Sequence, residues 1–281
     1  MIVVTGATGQ LGRLVVEGLK TKLPADQIVA AVRNPAKAAD LGVTVRQADY
    51  NEPETLTAAL EGADKVLLIS GTELGRRVAQ HEAVVEAARK AGAHIVYTSA
   101  PKAHDTALIL APEHKATEEI IRESGLPFTL LRNGWYHENY EETVREAAQT
   151  GEFIGSAGEG RTSSASRADF ADAAVAVLTG DGHQNKVYEL SGDTAWTRAE
   201  LAATIAEAAG KPVTYADLTP EQHQAALVEA GLPEGAAQFT VALDGNTKDG
   251  LLGETSGELR ALIGRPTTPI SDYVARVVKS A

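Results

Sequence analysis

Gly6, Gly9 and Gly12 recur at intervals of three, between Ile2-Val3-Val4-Thr5 and a run where Leu11, Leu14, Val15, Val16 and Leu19 share one helical face. Glycines so placed do phosphate chemistry by leaving room for it. Gly6 permits a tight turn, Gly9 lets the backbone come close to a phosphate, and Gly12 lets a helix pack hard on a sheet. A helix that begins here offers free N–H groups and its positive dipole end to a pyrophosphate. Thr8, Gln10 and Leu11 complete the turn. Its spacing is G-x-x-G-x-x-G rather than the commoner G-x-G-x-x-G, so the flanking strand and helix carry the assignment.

Arg33 ends the second apolar run, about 20 residues after the glycines, where an NAD site places an acid on the ribose 2′-OH. Here the chain has Arg33, Asn34 and Lys37, with no acid until Asp40. A guanidinium suits a 2′-phosphate by charge and by its paired N–H geometry. NADP(H) is therefore the expected cofactor.

Such a site needs a scaffold. Apolar runs at 28–32, 43–46, 65–69 and 94–98 alternate with helical stretches at 36–41, 54–61 and 77–91. A helix at 112–124 and a sixth strand at 128–131 follow. Near-continuous apolar strands alternating with helices predict an α/β fold, a Rossmann-type doubly wound parallel sheet covered on both faces. Ligands of such sheets bind beyond the carboxyl ends of the strands. That places Asp49 and Tyr50 near an adenine edge, although Tyr50 also reads as a surface aromatic. Ser70 and Gly71, with Thr98 and Ser99, would line the inner ribose and nicotinamide. Asn133, Trp135, Tyr136 and His137 lie just past the sixth strand.

Beyond residue 137 the pattern loosens to a helix at 137–149, short strands at 152–155 and 186–190, and a helix at 169–179. Ser163, Ser164, Ser166, Arg167 and Asp169 read as the cap that opens this last helix. The expected division is a nucleotide-binding domain over 1–150 and a smaller, mostly helical C-terminal lobe over 151–281. Residues 160–190 would partly return to the main domain.

The balance of 26 Lys and Arg against 38 Asp and Glu gives a net charge of −12, which argues against nucleic-acid binding. With no cysteine, thiolate catalysis, disulfides and cysteine metal sites are excluded. The seven histidines show no H-x-x-x-H or H-E-x-x-H spacing, so no metal is expected. No apolar run is long enough for a membrane span, and the first strand leaves no room ahead of it for a signal peptide. A cytoplasmic protein that could pair as a homodimer is the expectation.

Five segments in order carry a resemblance: Thr5 to Gly12, Val32-Arg33-Asn34-Pro35, Gln47-Ala48-Asp49-Tyr50, Tyr97-Thr98-Ser99 and Leu131-Arg132-Asn133-Gly134-Trp135-Tyr136. Together they resemble the NmrA-like group of atypical short-chain dehydrogenases. The nearest branch is the bacterial NAD(P)H:quinone oxidoreductases of type 2, then the triphenylmethane dye reductases. The likeness extends through Lys186-Val187-Tyr188-Glu189-Leu190 and Leu262-Ile263-Gly264. It implies NADP(H) without flavin, and a small quinone or aromatic acceptor as partner.

Ordinary short-chain dehydrogenases use Tyr-x-x-x-Lys to protonate a carbonyl oxygen. Aligned on Glu118, this chain has Leu110 at the tyrosine position and His114 at the lysine position, with Lys115 beside it. Reduction of a simple ketone needs that acid, whereas a quinone or cationic dye spreads the charge and needs mainly oriented docking. Lost acid catalysis thus favours quinone reduction. Trp135 or Tyr136 could wall a flat acceptor or plug the lobe from beneath. His137 could donate to a quinone oxygen or stand solvated at a helix start. His114 or Lys115 could touch the ribose. Ser99, His104 and Asp105 lack a G-x-S-x-G elbow and make no hydrolase. The rival function is a non-catalytic NADP(H) sensor of the NmrA type.

Overall fold

The computed structural model describes residues 1–280. Its strands in chain order are β1 (Ile2–Thr5), β2 (Ile28–Val32), β3 (Thr44–Gln47), β4 (Lys65–Leu68), β5 (His94–Ser99) and β6 (Phe128–Asn133). Then come β7 (Glu152–Gly155), β8 (Arg161–Thr162), β9 (Lys186–Leu190), β10 (Trp196–Thr197) and β11 (Thr214–Asp217). The first six and β9 form one sheet in the order β3-β2-β1-β4-β5-β6-β9, every pair parallel. The strand order reverses between β1 and β4, which opens a crevice at their carboxyl ends.

The helices of the main body are α1 (Gln10–Lys20), α2 (Pro53–Leu60), α3 (Arg77–Ala91) and α4 (Ala111–Glu123). After β6 comes α5 (Glu141–Thr150), and α6 (Arg167–Thr179) packs against α1 on one face of the sheet. The rest are α7 (Arg198–Ala209), α8 (Pro220–Glu229), α9 (Glu234–Lys248), α10 (Glu258–Ile263) and α11 (Ile270–Ser280). On one face Leu11, Val15, Val16 and Leu19 of α1 pack with Phe170, Ala174 and Leu178 of α6. Leu14, expected on the same stripe, is instead exposed. A Cβ on Gly18 would lie 2.8 Å from Val175 Cγ2, which shows how closely the two helices approach. The other face buries Leu56, Leu60, Val84, Ala88 and Ile121 from α2, α3 and α4.

Two helical expectations became tighter turns. Residues 35–41 form a 3-10 run capped by the Asn34 side chain, and His137–Tyr140 form a 3-10 turn ahead of α5. A separate apolar core lies among α5, α7 and α11, which enclose Tyr140, Trp196, Leu201, Ile205 and Val274. The pair β7 and β11 and the pair β8 and β10 complete it.

Candidate active site

The turn after β1 is built for an anion. Gly6 takes φ +60°, and the Gly9 N–H closes the turn on the Gly6 carbonyl at 2.9 Å. A Cβ on Gly12 would sit 2.4 Å from the Gly6 oxygen and 2.7 Å from Ala7 Cα, so only glycine fits there. No side chain caps α1 and no acid stands in its first turn, whereas α6, α7 and α8 each carry a capping box. The first N–H groups of α1 are therefore left for a ligand, as a pyrophosphate requires. The residues present fit a dinucleotide. Gly6, Thr8, Gly9, Gln10, Leu11 and Gly12 all line a cleft of about 720 Å³.

One end of this cleft is cationic. Arg33 and Lys37 line it beside Arg13, whose guanidinium is held by Asp40 at 2.7 Å and by the Lys37 carbonyl at 2.7 Å. Asp49 lines the same cleft, but its carboxylate turns back to accept the Asn51 N–H at 2.9 Å. Tyr50 lines the cleft as well and is not a surface aromatic. Its hydroxyl meets Thr5 Oγ1 at 2.5 Å and donates to the Ile69 carbonyl at 2.9 Å, beneath Gly6. Burial outweighs the Thr5 hydrogen bond and drives this phenol well above its ordinary pKa. Tyr50 braces the inner wall as a neutral group.

Ser70 and Gly71 also line the cleft, and the segment around them hangs from α3 and α4. Gly71 N–H donates to His81 Nε2 at 2.9 Å, and Arg77 Nε donates to the Gly71 carbonyl at 2.7 Å. Because Nε2 accepts, the His81 proton sits on Nδ1 and goes to Thr117 Oγ1 at 3.0 Å. Thr117 passes its own proton to the Glu113 carbonyl. Glu113 takes Arg77 on one oxygen and the Gly75 N–H on the other. Burial, with His114 and Arg77 nearby, lowers the His81 pKa to about 3. Thr98, expected at the ribose, instead receives the Ser70 N–H at 2.9 Å and is buried behind it.

Beyond β5 and β6 lies a buried charge array. Ser99 donates to Glu118 at 2.6 Å, and Arg132 binds that carboxylate through two nitrogens at 2.9 and 2.7 Å. Arg132 also reaches Glu189 at 2.8 Å, and Glu189 accepts the Lys102 N–H at 3.1 Å. Burial pushes the Glu118 pKa up, but hydrogen bonds from Arg132 and Ser99 overcome it and keep the carboxylate ionised. The single Ser99 proton is thus committed to Glu118, and Ser99 cannot act as an acid toward a ligand.

Several expected ligand contacts are corrected. His137 is buried at 1% exposure, with Nδ1 against Ser164 Oγ at 2.8 Å and Nε2 donating to the Thr268 carbonyl at 2.9 Å. Both ring nitrogens are used, so it neither binds an acceptor nor stands in solvent. His114 hydrogen-bonds Tyr97 OH at 2.7 Å inside the core, and Lys115 is exposed; neither lines the cleft. Tyr136 stacks edge-on to Phe170 at 5.0 Å beneath the Arg167 guanidinium. Trp135 is half-buried between the core of α5, α7 and α11 and the cluster of Leu108, Ala111 and Leu252. Asn133 donates to Tyr136 OH at 3.2 Å, while its buried Oδ1 has no partner among the described residues.

Arg13, Asn51, Gln80 and Arg167 line the cleft without having been singled out as ligand contacts. Arg13 had a readable signal, one helical turn past Gly9. Arg167 arrives from a helix more than 150 residues away in sequence, and no local pattern announces it.

Comparison with known proteins agrees with this geometry. A family described as NAD(P)H-binding matches residues 6–181. The chain is 49% identical to quinone oxidoreductase 2 of Escherichia coli, over 99% of this chain and 98% of that one. The crystal structure of NADPH-dependent quinone oxidoreductase from Escherichia coli, complexed with NADPH, superposes with a TM-score of 0.96 at 49% identity and 99% coverage of both chains. Triphenylmethane reductase of Citrobacter sp., complexed with NADP(H), gives a TM-score of 0.94 at 42% identity, covering 99% of this chain and 100% of that one. The chain belongs to the NAD(P)H-binding, NmrA-like family of atypical short-chain dehydrogenases.

Proposed function

We propose that this chain is an NADPH-dependent oxidoreductase that passes hydride directly to a quinone or a similarly delocalised acceptor. The observation that carries it is the uncapped glycine turn opening into a cleft with Arg33 and Lys37 at one end. NADPH, when bound, supplies the hydride. The α1 N-terminus would hold its pyrophosphate, and Arg33 its 2′-phosphate. Ser70 and Gly71 would border the nicotinamide half.

Two features support an acceptor with delocalised charge. Leu110 and His114 replace the proton-donating pair, and the Ser99 proton is held by Glu118. Such a site accelerates by alignment rather than by proton transfer.

The test is NADPH oxidation with benzoquinones and naphthoquinones, set beside NADPH binding without acceptor. Quinone-dependent turnover well above the uncatalysed rate, with NADPH preferred to NADH and the preference lost in Arg33→Ala, is expected. Firm NADPH binding without turnover on any quinone or dye would make the protein a sensor instead.

A further inference from the structure

Arg33 does not stand free at the 2′-phosphate position. Its Nη1 lies 4.0 Å from Glu73 Oε1, a carboxylate that arrives from the other side of the same cleft, after β4. Glu73 is held there from behind, because Arg76 Nη1 donates to its second oxygen at 3.3 Å. Arg76 in turn donates to Asn51 Oδ1 at 2.7 Å, and Gln80 donates to the same oxygen at 3.2 Å. The result is a polar strap from the end of β2, through the loop after β4, to the loop after β3. It crosses the adenosine end of the cleft.

The charges along the strap differ in what else they hold. Arg13 is occupied by Asp40. Arg76 has both Glu73 and Asn51. Arg33 has Glu73 as its one ion-pair partner among the described residues, and its side chain is 72% exposed. A carboxylate and a phosphate oxygen offer a guanidinium the same kind of acceptor. A 2′-phosphate reaching Arg33 therefore competes with Glu73 for the guanidinium charge, whereas a 2′-hydroxyl brings no charge to compete with it.

We propose that Glu73 is a specificity-determining residue that competes with the NADPH 2′-phosphate for Arg33, so lowering the protein's preference for NADPH over NADH. This rests on the reading of the cleft as an NADP(H) site. The strap then sets how tightly the phosphorylated cofactor is held, and Arg76 sets the strength of the competition by sharing the Glu73 carboxylate.

The experiment is calorimetric titration of the full chain with NADPH and with NADH, for wild type, Glu73→Gln, Arg33→Ala and the double variant. Glu73→Gln is expected to bind NADPH about two- to fivefold tighter, the range of an exposed ion pair, and NADH unchanged. The gain should shrink in roughly 0.5 M salt and disappear when Arg33 is already Ala. Unchanged or weaker NADPH binding, or equal gains for both cofactors, would overturn the proposal. So would a gain that persists without Arg33, because Glu73 would then repel the phosphate directly. Failure of the wild type to bind either nucleotide would overturn the cofactor reading itself.

Discussion

The Gly71 amide donates to His81 Nε2 at 2.9 Å, tying the cleft wall after β4 to a fully buried side chain of α3. Removing that acceptor leaves a backbone N–H with no partner. His81→Leu is expected to cost about 1–3 kcal/mol of stability and to raise the KM for NADPH by loosening Ser70 and Gly71. His81→Gln keeps an acceptor for the Gly71 N–H and should recover much of both. Urea unfolding with NADPH titration checks this, and a Gln variant no better than Leu would contradict it.

Acid should weaken the fold before it reaches the ordinary carboxylate range. Burial and the neighbouring Arg77 charge lower His114 to about 4, and burial with His114 and Arg77 lowers His81 to about 3. In the unfolded chain both titrate near the usual 6.5. Between those values the unfolded state binds more protons, so stability falls as pH falls. The loss begins near pH 6.5 and continues down to about pH 4 for His114 and about pH 3 for His81. Each histidine contributes a slope of about 1.4 kcal/mol per pH unit in the middle of its window. Denaturant midpoints from pH 8 to pH 4 (approximate limits set by those pKa values) measure it, and Thr117 being retained, His81→Gln should flatten the curve.

Arg132 and Glu118 should be inseparable. Glu118 is fully buried with Arg132 across it, so Arg132→Leu strands an ionised carboxylate. A loss of about 3–5 kcal/mol is expected, read from chemical denaturation. Replacing both partners with apolar residues should recover part of the loss, and no recovery would mean that the Glu189 contact matters more.

Gly12→Ala should abolish nucleotide binding with a smaller effect on the fold. The new Cβ meets backbone at Gly6 and Ala7, so the turn must shift rather than a flexible side chain. An expected loss of about 1–3 kcal/mol in stability would accompany at least roughly tenfold weaker NADPH. Fluorescence titration distinguishes this from a variant that merely unfolds.

The inner strands of the sheet were legible because they are buried on both faces and read as near-continuous apolar runs. Within the sheet, the segments 28–32 and 186–190 coincide with β2 and the edge strand β9 to the residue, and 152–155 coincides with β7, which pairs with β11 outside it. The glycine turn was legible because its demands are local. His137 was not, because a histidine at a helix start looks solvated unless Ser164 and Thr268 are known to close over it. The inward ties of Tyr50 were hidden for the same reason, its partners being Thr5 on β1 and Ile69 just past β4. Glu73 carries no sequence signal. Its meaning depends on a loop after β4 lying opposite the end of β2.

The return of α6 and β9 to the sheet bears on how the protein is made. The apolar face of α1 is completed by Phe170, Ala174 and Leu178, and β6 gains its outer neighbour only from Lys186–Leu190. Lys65, at the start of β4, donates to the carbonyls of Leu178 at 2.8 Å and Gly180 at 3.0 Å, fastening the end of α6 beneath the sheet. Although the first eighty residues supply most of the cleft lining, their hydrophobic support emerges from the ribosome a hundred residues later. A nascent chain halted near residue 150 would carry the full glycine turn on an unsupported helix, with one sheet edge open to mispairing. The nucleotide cleft is among the earliest parts of this chain to be synthesised, and this packing predicts that it is among the last to become rigid.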